Sequence, residues 1–154
     1  MHIAERRHTG LKLGAILAAL LMLGLVAPRH AEAATMTSAE RQMIHMLNNA
    51  RRVHGRAALR GNDVLANYAR KHSATMASKD TLYHNPYLAK WLQKVSWRIL
   101  GENVGVGSNI TELHIAFWNS PHHRENMLDR RFRDVGIGVV TRNGRVWVTV
   151  IFRG

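Results

Sequence analysis

The sequence contains no cysteine and few acidic residues. The first absence limits how the fold can be stabilised, and the second gives the chain a large positive charge. Without cysteine, disulfide bonds cannot stabilise the fold, so packing alone, or packing with a bound metal, must do so. Ten acidic residues stand against 22 lysines and arginines, which gives a net charge of +12. No apolar run reaches the ~20 residues that a membrane-spanning helix needs.

The first 33 residues have the three-part layout of a secretory signal peptide. A basic start is followed by the uncharged residues 13–27 and then by Ala31-Glu32-Ala33, which offers a cleavage site. A membrane anchor is the alternative, but the apolar run is short for one. A lipoprotein anchor is excluded because no cysteine follows the run. We therefore predict a signal peptide over residues 1–33 and a secreted or periplasmic protein without a transmembrane segment after cleavage.

The predicted mature chain, residues 34–154, is the size of one ordinary domain. The leader holds four of the 22 basic and two of the 10 acidic residues, which leaves 18 against 8 and a charge of +10. This charge favours anionic partners such as cell-envelope polymers or lipids. We do not expect a nucleic-acid partner, because the charges are scattered and no nucleic-acid motif is present.

Cap residues and apolar spacing predict four helices. Their N-cap residues are Ser38, Asn62, Asn109 and Ser120; the first three helices extend to about His54, Ser78 and Asn119, and Pro121 opens the last. His72 shares the inward stripe of the second helix with Leu65, Ala69 and Met76. We interpret His72 as a buried, hydrogen-bonded histidine rather than a ligand. Residues 79–86 read as a loop, since Pro86 disfavours helix before it, and a short helix is predicted over residues 87–95.

A β-hairpin is predicted at the end of the chain. Val135–Arg142 and Arg145–Phe152 flank Asn143-Gly144, the strongest two-residue turn signal. This register pairs Val139 with Val148 and makes both faces of the hairpin apolar, so both must be covered. A sheet with helices on both faces is a three-layer α-β-α sandwich. We therefore predict an α+β fold with an antiparallel sheet.

His84, Glu102 and His123 are the residues that could carry chemistry. They are 18 and 21 residues apart, so no local metal-binding spacing is present and spacing alone is weak evidence. Two neutral imidazoles and a carboxylate would suit Zn²⁺ with an open fourth position. The same side chains could instead hold and activate a water molecule.

The mature chain resembles the CAP superfamily (cysteine-rich secretory proteins, antigen 5, pathogenesis-related 1; also called SCP), in its cysteine-free bacterial branch. The resemblance extends over residues 38–152. The residues that carry it are Asn48, Arg51 and Gly55; Leu65, Ala69 and Met76; His84; Gly101-Glu102-Asn103-Val104; Trp118; Ser120-Pro121, His123-Arg124, Asn126 and Leu128; Val135-Gly136-Ile137-Gly138; and the strand from Trp147 to Phe152.

The resemblance implies an α-β-α sandwich with a cleft that holds His, Glu, Glu and His. His84 matches the first histidine, Glu102 the first glutamate and His123 the second histidine, and these three form the predicted metal set. The second glutamate is missing, because the matching position is Ser120. His122 stands where the motif usually has glycine and is interpreted as a rim residue. Asn103, Trp118, Ser120 and His122 are predicted to line the cleft.

Three functions are compatible with this reading. The first is a secreted binding module with a divalent-metal cleft, for which zinc suits the histidine ligands. The second is a metal-dependent hydrolase of the cell envelope with Glu102 as the candidate catalytic residue, although the missing second carboxylate weakens it. The third is the binding of lipids or other apolar ligands, which the resemblance implies because some eukaryotic relatives are associated with them.

Overall fold

The structure is a computed structural model that describes residues 36–154. The predicted signal peptide and its cleavage site lie outside the described residues. The helices are α1 (Ser38–Val53), α2 (Asp63–Lys79), α3 (Leu88–Trp91), α4 (Ile110–Asn119) and α5 (Pro121–Leu128). The strands are β1 (Arg60–Gly61), β2 (Leu100–Gly107), β3 (Asp134–Arg142) and β4 (Arg145–Arg153). No helix within residues 36–154 combines the length and apolar character that crossing a membrane requires.

The start of α1 corrects one prediction. Thr37, not Ser38, is the N-cap: its side chain accepts a hydrogen bond from the backbone of Glu40, and the Glu40 carboxylate accepts one from the backbone of Thr37 at 2.7 Å. This reciprocal pair is a capping box. Ser38 is therefore the first helical residue rather than the cap.

The other helices with predicted N-cap residues begin at the positions that those residues indicated. The Asn62 side chain accepts from Leu65 N at 3.0 Å, and the Asn109 side chain accepts from Glu112 N at 2.9 Å. Pro121 opens α5, but the Ser120 hydroxyl makes no capping hydrogen bond to a described residue. The short helix predicted over residues 87–95 is a single turn, α3, followed by further turns.

The sheet has the strand order β1-β3-β4-β2. β3 and β4 form the predicted hairpin in the predicted register, with Val139 opposite Val148. Asn143 and Gly144 both have positive φ, 50° and 70°, as a two-residue hairpin turn requires. β2, which was not predicted as a strand, pairs antiparallel with β4, so the three long strands form the antiparallel sheet that was predicted. The two-residue β1 was not predicted; it pairs parallel with β3 and makes the sheet mixed.

Helices cover both faces of this sheet, which confirms the three-layer sandwich. On one face α1, α4 and α5 pack against a core that includes Val135, Ile137, Val148 and Phe152. On the other face α2 packs against β3 and β4. The predicted inward stripe of α2, including His72, is buried. Gly138 permits the close approach, since a Cβ built there would lie 2.1 Å from the backbone nitrogen of Arg70.

Candidate functional site

Glu102 lies on β2 with its carboxylate almost enclosed, since its side chain is only 6% exposed. Its Oε2 accepts two hydrogen bonds, one from Nδ1 of His84 and one from the backbone N–H of Asn85, both at 2.9 Å. Its Oε1 is buried and has no hydrogen-bond partner among the described residues. Glu102 therefore holds the histidine loop through one oxygen and keeps the other inside the protein.

The contact with Glu102 determines how His84 presents its ring. A carboxylate can only accept, so Nδ1 of His84 carries the hydrogen, and this leaves Nε2 with a free lone pair. The His84 side chain is 63% exposed. This is the arrangement of a metal-binding histidine whose other ring nitrogen is held by a carboxylate. Two members of the predicted metal set, His84 and Glu102, are thus joined by a direct hydrogen bond.

Asn85 and its neighbours hold the loop that carries His84. The side-chain oxygen of Asn85 accepts from the backbone N–H of Tyr87 at 2.9 Å, while its backbone N–H donates to Glu102. Asn85 is buried, and its Nδ2 has no partner in the described part of the chain. The loop is therefore anchored directly after His84, which limits how far its ring can move.

Asn103 and Asn126 connect His123 to the strand that carries Glu102. Nδ2 of Asn103 donates to the backbone oxygen of His123 at 3.0 Å. Nδ2 of Asn126 donates to the backbone oxygen of Glu102 at 3.2 Å and to Oδ1 of Asn103 at 2.9 Å. Asn103 is fully buried and supports the site through these contacts, while the cleft-lining role predicted for it stays a prediction. The two amides fix α5 against β2 at the level of Glu102.

The His123 ring is half-buried on α5, with its centroid 5.0 Å from that of Phe117. Burial lowers the pKa of His123, and electrostatic interaction with the neighbouring His84 and His122 lowers it further. His123 is therefore neutral at pH 7, the form in which imidazole binds metals. Neither ring nitrogen hydrogen-bonds to another residue of the described range, so both remain available to a ligand.

Arg51 holds the far end of the helix that carries His123. Arg51 is buried on α1, and its Nη1 donates to the backbone oxygens of Met127 at 2.7 Å and Asp129 at 3.1 Å. These carbonyls belong to the last turn of α5 and to its C-cap, where backbone acceptors lack partners within the helix. The contact couples the position of His123 to α1, which explains a buried charge at this point of the core.

Trp118 lines a hollow whose lining residues do not include His84 or Glu102. It shares this hollow of about 350 Å³ between α1 and α4 with His54 and His114. Its ring centroid is 4.8 Å from that of His54, and the guanidinium of Arg124 lies 5.7 Å from it. Burial lowers the pKa of His114. The lining role predicted for Trp118 in the cleft stays a prediction, as do those for Ser120 and His122 at the start of α5.

The side chains near Glu102 differ from a preformed metal site. Within residues 36–154 no three or more His, Asp or Glu side chains form a group that could hold a metal ion. The Oε2 of Glu102 is engaged by His84 and Asn85, so the carboxylate fits the role of orienting His84. Imidazole nitrogens, such as those of His84 and His123, are of the donor type that divalent transition metals bind. The predicted set of His84, Glu102 and His123 as joint ligands stays a prediction.

Sequence reasoning missed the place of His72 beside the site. His72 is buried and its Nε2 donates to the backbone oxygen of Tyr83 at 2.8 Å, so the predicted buried and hydrogen-bonded state is confirmed. The same Nε2 lies 4.0 Å from Oε1 of Glu102. Helical spacing predicted that His72 belongs to the buried stripe of α2. It could not predict that this stripe places His72 beside Glu102 on β2.

Fold and site together define a CAP domain. The family model described as "CAP: Cysteine-rich secretory protein family" matches residues 44–152, and the chain belongs to this family.

Bacterial relatives share both the sequence pattern and the fold. Protein YkwD of Bacillus subtilis (strain 168), described as uncharacterized, is 29% identical over 120 residues, which cover 73% of this chain and 46% of YkwD. A crystal structure of an extracellular protein containing a SCP domain from Bacillus anthracis str. Ames matches with a TM-score of 0.68 and 27% identity, over 75% of this chain and 40% of that one. The chain thus spans less than half the length of these two relatives.

A more distant likeness extends to NaASP2, whose crystal structure was determined with Zn²⁺. The TM-score is 0.61 at 12% identity, over 79% of this chain and 82% of that chain. At this identity the likeness shows the shared fold alone.

Proposed function

We propose that this protein is an exported binding module of the cell envelope whose cleft, formed by His84, Glu102 and His123, binds a divalent metal ion, with zinc as the first candidate. The observation that carries the proposal is the hydrogen bond from Nδ1 of His84 to Glu102. It leaves Nε2 of an exposed, fixed ring ready to bind, with a carboxylate behind it that raises its basicity.

His123 supplies the second neutral imidazole. Its lowered pKa keeps the ring uncharged at pH 7, and its ring nitrogens are not used by other described residues. Imidazole nitrogen is a preferred ligand of Zn²⁺. The crystal structure of NaASP2 with Zn²⁺ is a precedent for this metal with the same fold. A bound ion would offer its open positions to a carboxylate, a hydroxyl or another anionic group of a partner.

A binding role is favoured over hydrolysis by the state of Glu102. Hydrolysis by this cleft would need a carboxylate free to accept a proton from water. One oxygen of Glu102 is engaged with His84 and Asn85, and the other lies buried at 4.0 Å from His72. Ser120 offers no second carboxylate.

Export is supported by the signal-peptide pattern of residues 1–33 and by the description of the Bacillus anthracis relative as extracellular. The high net positive charge suits a cell envelope, whose polymers and lipids carry negative charge.

Zinc titration of the purified protein tests the metal proposal. We expect the wild type to bind one Zn²⁺ and His84→Ala and His123→Ala each to lose at least about tenfold in affinity. His45→Ala is the matched control, because His45 is exposed on α1 outside the cleft. Equal affinity in all four proteins, or no binding by the wild type at pH 7.5, would refute the metal site.

A second candidate function, apolar-ligand binding, is favoured by the hollow between α1 and α4. Val53 and Ile115 line it while 75% and 52% exposed, beside Trp118. A fluorescent fatty acid should bind the wild type more tightly than Ile115→Asp. Val64→Asp is the control, since Val64 is exposed on α2 away from the hollow. Equal binding by the two variants would remove this candidate.

A further inference from the structure

A large hollow of about 760 Å³ lies at the end of the sheet, and its residues are not those of the metal cleft. The register places Arg60, Asp134 and Arg153 side by side there, on β1, β3 and β4. The arginines that line the hollow are Arg60, Arg98, Arg131, Arg133 and Arg153. They are far apart in sequence, and the fold brings them to one site.

Two aspartates neutralise part of this charge. Asp134 accepts from Nε of Arg60 at 3.0 Å and from Nε of Arg153 at 3.1 Å, and it is buried. Asp129 accepts from Arg131 through both carboxylate oxygens. Five guanidinium groups thus face two carboxylates, an excess of three positive charges. The excess stays positive if a carboxylate at Gly154 is counted as well.

Arg98 and Arg133 are the two lining arginines without a carboxylate partner among the described residues. The Arg133 side chain donates only to the backbone oxygens of Arg130 and Phe132. The Arg98 side chain makes no hydrogen bond or ion pair within the described range. Both can therefore take an anion without first breaking an ion pair.

The backbone at these two arginines is held in place. The N–H of Arg98 donates to the oxygen of Gly154, and the N–H of Arg133 donates to the oxygen of Arg153, both at 2.7 Å. Trp97 lines the same hollow with 38% of its surface exposed, and its Nε1 donates to the oxygen of Leu92. The hollow thus joins two available guanidinium groups to a fixed aromatic wall.

We propose that this hollow binds a phosphate group of an extended ligand, with Arg98 and Arg133 as the groups that hold the phosphate. Guanidinium forks match the oxygens of phosphate in pairs, and several arginines can share one phosphate. An anion also relieves the mutual repulsion of the arginines. The indole of Trp97 offers an apolar surface to the part of the ligand next to the phosphate. This site is independent of the metal cleft.

Binding measurements with three probes test the proposal: a soluble poly(glycerol phosphate) chain, phosphatidylglycerol vesicles, and poly-glutamate as a phosphate-free polyanion. At about 0.15 M salt, where distant charges are screened, we expect the wild type to bind at least one phosphate probe and to bind poly-glutamate more weakly. The phosphate probe that binds distinguishes a wall-type polymer from a lipid headgroup as the source.

The variant R98A/R133A should lose at least about tenfold in affinity for the phosphate probe. The control R52A/R142A removes the same charge from exposed arginines outside the hollow and should stay within about twofold of wild type. Circular dichroism checks that both variants are folded. The proposal is overturned if neither phosphate probe binds, if poly-glutamate binds as tightly, or if the two variants lose affinity equally.

Discussion

Side chains at the candidate site are positioned by contacts with one another. The clearest contact is the hydrogen bond between Glu102 and His84. The carboxylate is buried and the ring is exposed, so the contact joins an enclosed acceptor to a solvent-accessible imidazole. Such an arrangement selects one tautomer of His84, because only a protonated Nδ1 can donate to the carboxylate. The chemistry proposed for the cleft depends on this selection.

Glu102→Gln should release the His84 ring. A neutral amide oxygen is a weaker acceptor than a carboxylate, so the tautomer with hydrogen on Nε2 should gain population. Ring ¹⁵N chemical shifts of His84 in the metal-free variant would measure this directly. Zinc affinity should fall about ten- to hundredfold. Glu125→Gln, an exposed carboxylate on the same helix as His123, is the control. An unchanged His84 tautomer in Glu102→Gln would contradict the assigned role.

His114 predicts a pH dependence of stability. Burial lowers its pKa from the ordinary value of 6.5, so the unfolded state binds a proton more readily than the folded state. Its contribution to stability is therefore complete above pH 6.5 and is lost as pH falls through the folded-state pKa. Urea unfolding at pH 7.5 and 5.5 should show a smaller loss of stability in His114→Gln than in the wild type. Identical pH dependence in both proteins would show that His114 is not protected from protonation.

Among the secondary-structure elements, α1 begins where two neighbouring residues compete for the N-cap position. Thr37 and Ser38 are both good cap residues, and the sequence interpretation chose Ser38. Glu40 decides for Thr37, because a capping box needs a glutamate three residues after the cap. The sequence alone could have separated the two assignments. The residue three positions after Ser38 is Arg41, which cannot complete a capping box.

Alanine substitutions separate the two cap assignments. Thr37→Ala should lower the free energy of unfolding by about 1 kcal/mol, since it removes the side-chain acceptor of the box. Ser38→Ala should change it by less than about 0.5 kcal/mol, because Ser38 is exposed in the first turn. Urea denaturation of the three proteins measures both. A larger loss in Ser38→Ala than in Thr37→Ala would reverse the assignment.

The whole molecule depends on how closely its layers approach. α2 contacts the sheet at Gly136 and Gly138, where a built Cβ would lie 2.2 and 2.1 Å from backbone atoms of α2. Backbone cannot yield as a side chain can, so these glycines determine the spacing between α2 and the sheet. On the other face the glycines of β2 meet side chains such as Phe117 and Leu113.

Gly138→Ala should therefore destabilise the protein by about 2 kcal/mol or more, through the shift it forces on α2. Gly107→Ala is the matched control, because its new Cβ would lie 3.2 Å from side-chain atoms of Leu113, which can move. We expect it to cost less than about 1 kcal/mol. Equal unfolding free energies for the two variants would show that the layer spacing is adjustable.

Much of the fold was predictable because its signals are local. The caps Asn62 and Asn109 act on residues three positions away, and Asn143-Gly144 sets the hairpin register by itself. Apolar residues lie on both faces of β3 and β4, so both faces need to be covered by other elements. This requirement predicted the three layers. β1 was not predicted because two residues, Arg60 and Gly61, are too few to show the alternation of a strand. The strand with which they pair begins far along the chain, at Asp134.

The site was predictable only in part. The sequence by itself determined the main helices, the hairpin, the apolar faces and the family, because each depends on neighbours or on an ordered set of motifs. Only the tertiary structure decided that Oε2 of Glu102 bonds His84, that His72 lies 4.0 Å from Oε1, and that five arginines share one hollow. The physical reason is that convergence of distant side chains follows from how layers and loops pack, and local periodicity does not encode that packing.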